Sequence, residues 1–395
     1  MSVSKLKPSA WQRVLRREWL ALRAKPWELA LMSWWPLLLL AILWWTLAAG
    51  LPRNLPLVWV DHDKSASSRQ LLQLLESSPT LSLSLRLPDE VAAMQAVRSG
   101  HAVGWLLVPR DFERDIKRGV APTVHLQVNA QQSTAAGMVK SQVQTALALF
   151  SAGAELKIRT AQGEPAASAM NNLEPLRPGL MTLFNGSMNY EAFLVPALGT
   201  ALLQLFAMFI AVACVGRELK HGTVKVWLEH ADGNLLIALA AKLFINLAPL
   251  ALLTCGMVFG LGLLRGFAIA GSLPLLLLAH LLGLVANAAL GVVAVLATRS
   301  LRMGLSVAGV IASPAFTYSG AGYPLMAMPL AAQVWAWLLP LTHLLRLQAE
   351  QWGMGAPVIY SLDDLGVLAA MAILPWLLVP RLISPCLSAY AWGRA

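Results

Sequence analysis

Acidic residues are missing from the places where a gradient-driven transporter needs them. The chain has 395 residues and only 20 Asp and Glu, none of them near the middle of a long apolar run. Carriers powered by ion gradients hold H⁺ or Na⁺ on such a group, where water is scarce. A GxxxxGK[ST] phosphate loop is also absent, so the chain lacks the usual nest for ATP. HExxH, CxxC and GxSxG do not occur, which removes the common zinc-protease, dithiol and serine-hydrolase signatures. Three cysteines are present: Cys214 and Cys255 in apolar runs and Cys386 near the C-terminus. None lies between residues 50 and 190, so no disulfide framework supports that segment. The cysteines read as small packing residues, and no metal-ligand spacing exists. The expectation is a chain without catalytic residues, metal or cofactor of its own.

Charge is scarce in general. Only 13% of residues are charged while 57% are hydrophobic, and a soluble domain could not hide that much apolar surface. About 20 apolar residues, rising ~1.5 Å each, cover the ~30 Å of a bilayer's hydrocarbon. Five runs meet that length: 29–49, 192–215, 235–264, 271–297 and 364–380. A sixth begins near Met303 and breaks at SGAGYPLMAMP (319–329). The first run is longer than a secretory h-region and reads as an uncleaved anchor.

The net charge of +10 follows topology. Residues 1–28 carry seven Lys/Arg against two Glu, and 216–242 carry four basic against three acidic residues. Arg299 and Arg302 share a short loop, and Arg381 and Arg394 follow the last run. Basic short loops stay cytoplasmic, which places both termini and the 217–230 stretch inside and residues 50–190 outside. Basic residues spread this way do not make a nucleic-acid face.

The predicted fold is therefore a polytopic α-helical membrane protein with about six spans and cytoplasmic termini. An extracytoplasmic (periplasmic) α/β domain is inserted between the first and second spans. Its parts are a cytoplasmic interfacial helix (1–28), the first span (29–49), the α/β domain (50–190), a five-helix membrane domain (191–381) and a tail (382–395). In the first part, Trp11, Leu15, Trp19 and Leu22 form a stripe suited to an anionic leaflet. In the insert, strands are expected at 57–61, 81–87, 102–109 and 123–129, and helices at 65–78, 88–98, 110–119 and 133–162. That alternation argues for a partly parallel sheet covered by helices, with antiparallel edges expected near 173–190.

Other polar residues have plain readings. Lys242, early in the third run, is expected to snorkel to the surface. His280 reads as a packing residue, Asp61 and Asp63 as an acidic turn, and Asp363-Asp364 as caps of the last span. Several Trp, among them Trp34, Trp35, Trp335, Trp337 and Trp376, fall near span ends as interfacial belts. Asn185-Gly186-Ser187 fits a glycosylation sequon, a triplet frequent by chance.

The stretch RELKHGTVKVWLEH (217–230) is a polar knob between two spans. Within a coupling loop at 216–234, Arg217, Glu218 and Lys220 precede a turn at Gly222. Thr223 is placed to cap a short helix, whose Val226 and Trp227 can seat in a cytoplasmic partner's cleft. An ordinary connector would look similar.

Taken together, these motifs resemble the membrane subunits of type-2 ATP-binding-cassette exporters, in the subgroup with a large external domain after the first span. Arg17-Glu18, Arg23, Lys25-Pro26 and Pro36 are similar to the family's approach to its first helix, and VWVDHDKSASSRQLLQLLESSP (58–79) to its first strand and helix. Arg217, Glu218, Gly222 and Thr223 match its signature before the coupling helix, although Lys220 and Lys225 stand where glutamates are common. SGAGYPLMAMP and WAWLLPLTHLLRLQ (335–348) resemble its external re-entrant segment, here 319–348. The resemblance implies a permease of the bacterial inner membrane, in a homo- or heterodimer. Separate cytoplasmic ATPase subunits would bind the ATP, and a periplasmic adaptor and outer-membrane channel could complete the path. It implies outward movement of an amphiphilic, drug-like or lipid-like substrate, with Gly320, Tyr323, Pro324, Pro340, Thr342 and His343 as candidate exit-gate residues. A non-transporting membrane sensor or scaffold acting through the external domain remains the alternative.

Overall fold

A computed structural model describes residues 8–48, 50, 52–163, 165, 184 and 189–388. The chain folds as two compact units: residues 1–50 with 182–395, and residues 51–181.

The first unit is helical. Helix α1 (Ala10–Ala24) starts at a capping box in which the Ser9 hydroxyl accepts from the Gln12 amide. Helices α2 (Pro26–Met32) and α3 (Trp34–Leu47) follow with a break at Ser33, and together they form the first stretch long enough to cross a bilayer. The longest helix, α4 (Tyr190–His221), runs for 32 residues from the Asn189 cap to Gly222. Gly222 has φ +63°, the left-handed conformation that ends helices and favours glycine. A short helix α5 (Val224–His230) leads into α6 (Leu235–Phe259), which is capped by Asn234 and continued by a π turn, Gly260–Leu264. Helix α7 (Leu273–Thr298) begins at the Ser272 cap with Pro274 in its first turn.

The sixth hydrophobic stretch is broken. Helix α8 (Leu301–Ala312) stops before Pro314, and the four-residue α9 (Ala315–Tyr318) is followed by an irregular segment. Helices α10 (Leu330–Trp337) and α11 (Pro340–Gln348) come next, and then α12 (Val358–Ile373) and α13 (Val379–Ile383). Five stretches among the described residues are long and apolar enough to span: 26–47, 190–221, 235–264, 273–298 and 358–387.

Helix α4 packs most closely against α7, and small residues set the distance. A Cβ added to Gly291 would meet the Met208 carbonyl oxygen at 2.5 Å, so the two backbones approach where only glycine fits. Lipid is as apolar as leucine, so burial here yields little hydrophobic gain; close packing and polar bonds hold these helices together.

The second unit is α/β. Its sheet has the order β2-β1-β4-β5, with β3 also on β1. Strand β1 (Leu55–Asp61) is central and parallel to β2 (Leu81–Ser82), β3 (Arg86–Leu87) and β4 (Gly104–Val108), whereas β5 (His125–Val128) is antiparallel to β4. The expected strand at 81–87 is thus two short pieces. Leu57 and Trp59 face one layer of helices, Val58 and Val60 the other, as strand alternation requires. The first layer holds α14 (Ala66–Glu76), α15 (Phe112–Lys117) and α16 (Ser133–Ala161); α17 (Glu90–Arg98) covers the second face. Leu57, Leu71, Leu75 and Leu106 are fully buried. Here the alternative is water, and each contributes about 1.5–3 kcal/mol. The expected pairing near 173–190 and the Asn185 sequon lie outside the described residues.

Candidate functional site

The two ends of α4 carry ionic clusters. At its start, Glu191 is 1% exposed and forms a two-pronged pair with Arg265, Nε–Oε1 2.7 Å and Nη2–Oε2 2.5 Å. Trp44 Nε1 donates to the same carboxylate at 2.7 Å. At its far end stand Arg217 and Glu218. Roughly 40 Å of helix separates the two clusters at ~1.5 Å per residue, enough to bracket ~30 Å of hydrocarbon.

The second cluster is the more elaborate. Lys242 on α6 is fully buried, and its Nζ donates to Glu18 Oε1 at 2.6 Å and to Glu218 Oε1 at 2.7 Å. Arg17 grips Glu218 through Nη1 and Nη2, both at 2.8 Å, and Arg217 Nη2 donates to Glu18 Oε2 at 2.6 Å. Arg217 Nη1 also donates to Glu28 on α2, and the Thr223 hydroxyl donates to Glu218 Oε2 at 2.5 Å. Three inward-facing cations thus meet three carboxylates, with both oxygens of Glu18 and Glu218 engaged and the more exposed Lys25 ammonium 3.4 Å from Glu28 at the edge. Burial alone would lower the Arg17 pKa, but its bonds to Glu218 raise it above the ordinary value. Taking such charges out of water is expensive, and complete mutual satisfaction is what makes the cluster tolerable.

The cluster ties α1, α2, α4 and α6 to the elbow at Gly222–Asn234. Residues Arg217, Glu218, Gly222 and Thr223, singled out by pattern, therefore act together, although differently from expectation. Arg217 and Glu218 are 7% and 2% exposed and face inward. Thr223 stands at the cap position of α5 but makes no capping bond; its hydroxyl goes to Glu218. Trp227 corrects the expectation of a partner-facing ring: it is fully buried, with the Lys242 ammonium 5.0 Å from its ring. Val226 does point outward at 46% exposure, and Lys220, Lys225 and Glu229 are exposed around it. Lys242 does not snorkel either, because two carboxylates within the protein offer better partners than the surface.

Sequence reasoning missed Glu18, Glu28 and Lys242 as partners of the knob. A usable signal was present in α1. Val14, Glu18 and Leu22 are its buried residues, spaced four apart, whereas Trp11 and Trp19 of the expected stripe are 36% and 44% exposed. A carboxylate on a helix's inward stripe needs a buried cation, and Lys242 is the charge interrupting an apolar run.

Between the clusters lies an uncharged polar chain. Thr200 Oγ1 meets Gln348 Oε1 at 2.7 Å and His280 Nε2 at 3.2 Å, while His280 Nδ1 lies 2.8 Å from the Leu276 carbonyl. Asn287 donates to Gln204 Oε1 at 3.1 Å. His280 is thus a packed, bonded side chain.

The candidate exit residues divide. Gly320, with φ +87°, Tyr323 and Pro324 lie in the irregular segment after α9, where Tyr323 is 53% exposed. Pro340, Thr342 and His343 are buried in helix packing. His343 Nδ1 lies 2.7 Å from Asp364 Oδ1 and Nε2 lies 3.0 Å from the Trp337 carbonyl. Asp364 is therefore an inward-facing partner on α12 instead of a helix cap.

Comparison with known proteins adds the family. Residues 26–379 match the family described as ABC-2 family transporter protein. The inner membrane transport permease YhhJ of Escherichia coli (strain K12) is 25% identical over 313 residues, 76% of this chain and 78% of that protein. The permease of the same name from Shigella flexneri aligns with the same figures. No solved structure matches the chain. With five stretches among the described residues long and apolar enough to span, and a family match reaching from the first to the last of them, the chain belongs to the ABC-2 transporter family, as a multi-pass permease subunit of the inner membrane.

Proposed function

We propose that this permease subunit exports an amphiphilic, drug-like or lipid-like substrate, driven by ATP hydrolysed on separate cytoplasmic subunits. The observation that carries this reading is the elbow at 222–234. Its outer side offers Lys225, Val226 and Glu229 to a partner, beside Lys220 at the end of α4, and its inner side is buried. Its root is clamped through Glu218 and Thr223 to Arg17 and Lys242. Force applied to the outer side then reaches α1, α4 and α6 together instead of bending a loose loop.

In this reading both termini and the elbow are cytoplasmic, and residues 51–181 are periplasmic. Two permeases, identical or not, enclose the path. The external unit receives substrate, gates its exit or meets a periplasmic adaptor leading to an outer-membrane channel; multidrug efflux is one role of this form.

Val226→Asp and Lys225→Glu test the outer side. Both are expected to reduce co-purification of the ATPase subunit while the permease stays in the membrane at unchanged amounts. Glu218→Gln tests the root, and is expected to leave ATP hydrolysis running while export falls. Undiminished export in all three variants would overturn the proposal, as would labelling that puts Lys225 on the outer face. Net pumping by the purified chain alone would overturn it too.

A further inference from the structure

The α/β unit contains a cleft of about 600 Å³ that the permease reading leaves unused. Its position follows from topology. His62 and Lys64 follow β1, Pro88 follows β3 and Arg110 follows β4, so the cleft lies beyond the carboxyl ends of the parallel strands. From β1 the chain goes first to one side of the sheet, to β2 and β3, and later to the other side, to β4. The segment leaving β1 enters α14 in the first layer of helices and the segment leaving β3 enters α17 on the second face, so these two diverge, and open parallel sheets bind ligands in the crevice this creates. Its volume falls within the ~300–1,000 Å³ typical of small-molecule sites.

The lining has two characters. Trp59, Leu72 and Leu87 provide apolar surface, and Lys64, Arg69, Arg86 and Arg110 provide cations. Some of that charge is already engaged. Arg86 pairs with Glu76 at 3.0 Å, and Arg69 donates to the Lys64 carbonyl at 2.9 Å. Asp61, the carboxylate of the lining, accepts from the Asp63 and Lys64 amides at 2.9 and 2.8 Å and from the Ser68 hydroxyl at 2.7 Å. It is turned to its own loop and satisfied there. The Lys64 ammonium and Arg110 guanidinium have no side-chain partner among the described residues. The one carboxylate of the lining is thus engaged by its own loop, and four cations outnumber it. A bare inorganic anion would leave the Trp59 side unused.

We propose that the cleft binds a small organic anion with an apolar body, its acidic group held by Lys64 and Arg110 and its body against Trp59, Leu72 and Leu87. The guanidinium fork suits a phosphate or carboxylate, and the ammonium adds a second charge-assisted bond. This inference does not depend on the direction of transport or on any ATPase.

The test uses the full chain in lipid nanodiscs, with empty discs subtracted, and three probes followed by calorimetry. 1-Naphthyl phosphate carries both features, inorganic phosphate only the charge, and 1-naphthol only the rings. Naphthyl phosphate is expected to bind most tightly and to weaken as salt is raised. Lys64→Gln with Arg110→Gln is expected to weaken it at least about tenfold, the loss of roughly one charge-assisted bond or more. Arg98→Gln, an exposed cation at the end of α17, serves as a control and is expected to bind like the parent. Equal binding of naphthyl phosphate and inorganic phosphate would overturn the assignment of the apolar surface. Equal binding of naphthol, or unchanged affinity in the double variant with its melting curve intact, would overturn the anion site itself.

Discussion

Lys242→Met is the sharpest perturbation of the buried cluster. The change keeps a long unbranched side chain but removes the cation shared by Glu18 and Glu218. Those carboxylates contact the same Nζ at 2.6 and 2.7 Å, so their nearest oxygens can be no more than about 5 Å apart. Without the ammonium, two buried like charges at that distance repel by about 3 kcal/mol at an effective dielectric of ~20. Two charge-assisted hydrogen bonds are also lost. Arg17 still touches both carboxylates and recovers part of the loss. The expected net destabilisation is about 3–5 kcal/mol, the range for removing one member of a buried ion pair. Unfolding of the purified protein in mixed micelles by increasing SDS measures it, with midpoint and slope both recorded. The decisive comparison is Lys242→Met combined with Glu18→Gln, which restores neutrality. The double variant should recover at least about 2 kcal/mol relative to the sum of the single changes, as expected for residues in contact. A loss below about 1 kcal/mol in the single variant, or simple additivity in the double, would refute the reasoning.

Three further outcomes follow from the geometry. Gly222→Val forces a β-branched residue to φ +63° and should destabilise by about 1–3 kcal/mol, which a shift in the thermal inactivation midpoint would report; no shift would argue against the left-handed helix end. Arg265→Met strips the salt bridge from Glu191 and should lower the unfolding midpoint, and adding Glu191→Gln should restore much of it in the same unfolding assay. Gly291→Ala places a methyl 2.5 Å from the Met208 carbonyl oxygen and should cost about 1–3 kcal/mol by separating α4 from α7; an unchanged midpoint would show that these helices have slack.

The class of protein was legible because bilayer length is a local property. An apolar run of the right length can span wherever its neighbours lie, so the five bilayer-length stretches among the described residues could be read directly, whereas the sixth of the expected spans is broken after Met303 by Gly and Pro. Turn and cap chemistry is equally local, which is why the turn at Gly222 could be recognised. The strands of the α/β unit were visible for the same reason, as short apolar runs bounded by turn residues. The single expected strand at 81–87 failed because β1 offers it only two brief pairings.

What the sequence could not supply was partnership. Glu18 and Lys242 stand 224 positions apart, and no spacing rule relates them. Only the packing of α1 against α6 brings the carboxylate to the ammonium, and only that pairing explains why Lys242 stays buried. The same packing decides that Trp227 points inward while Val226, one residue earlier, points out. Composition and periodicity determined that this chain lives in a membrane and which of its stretches are long and apolar enough to cross it. The tertiary structure decided which of its few charges face one another, because ionic contacts depend on distance in space and the bilayer leaves an unpaired charge nowhere else to go.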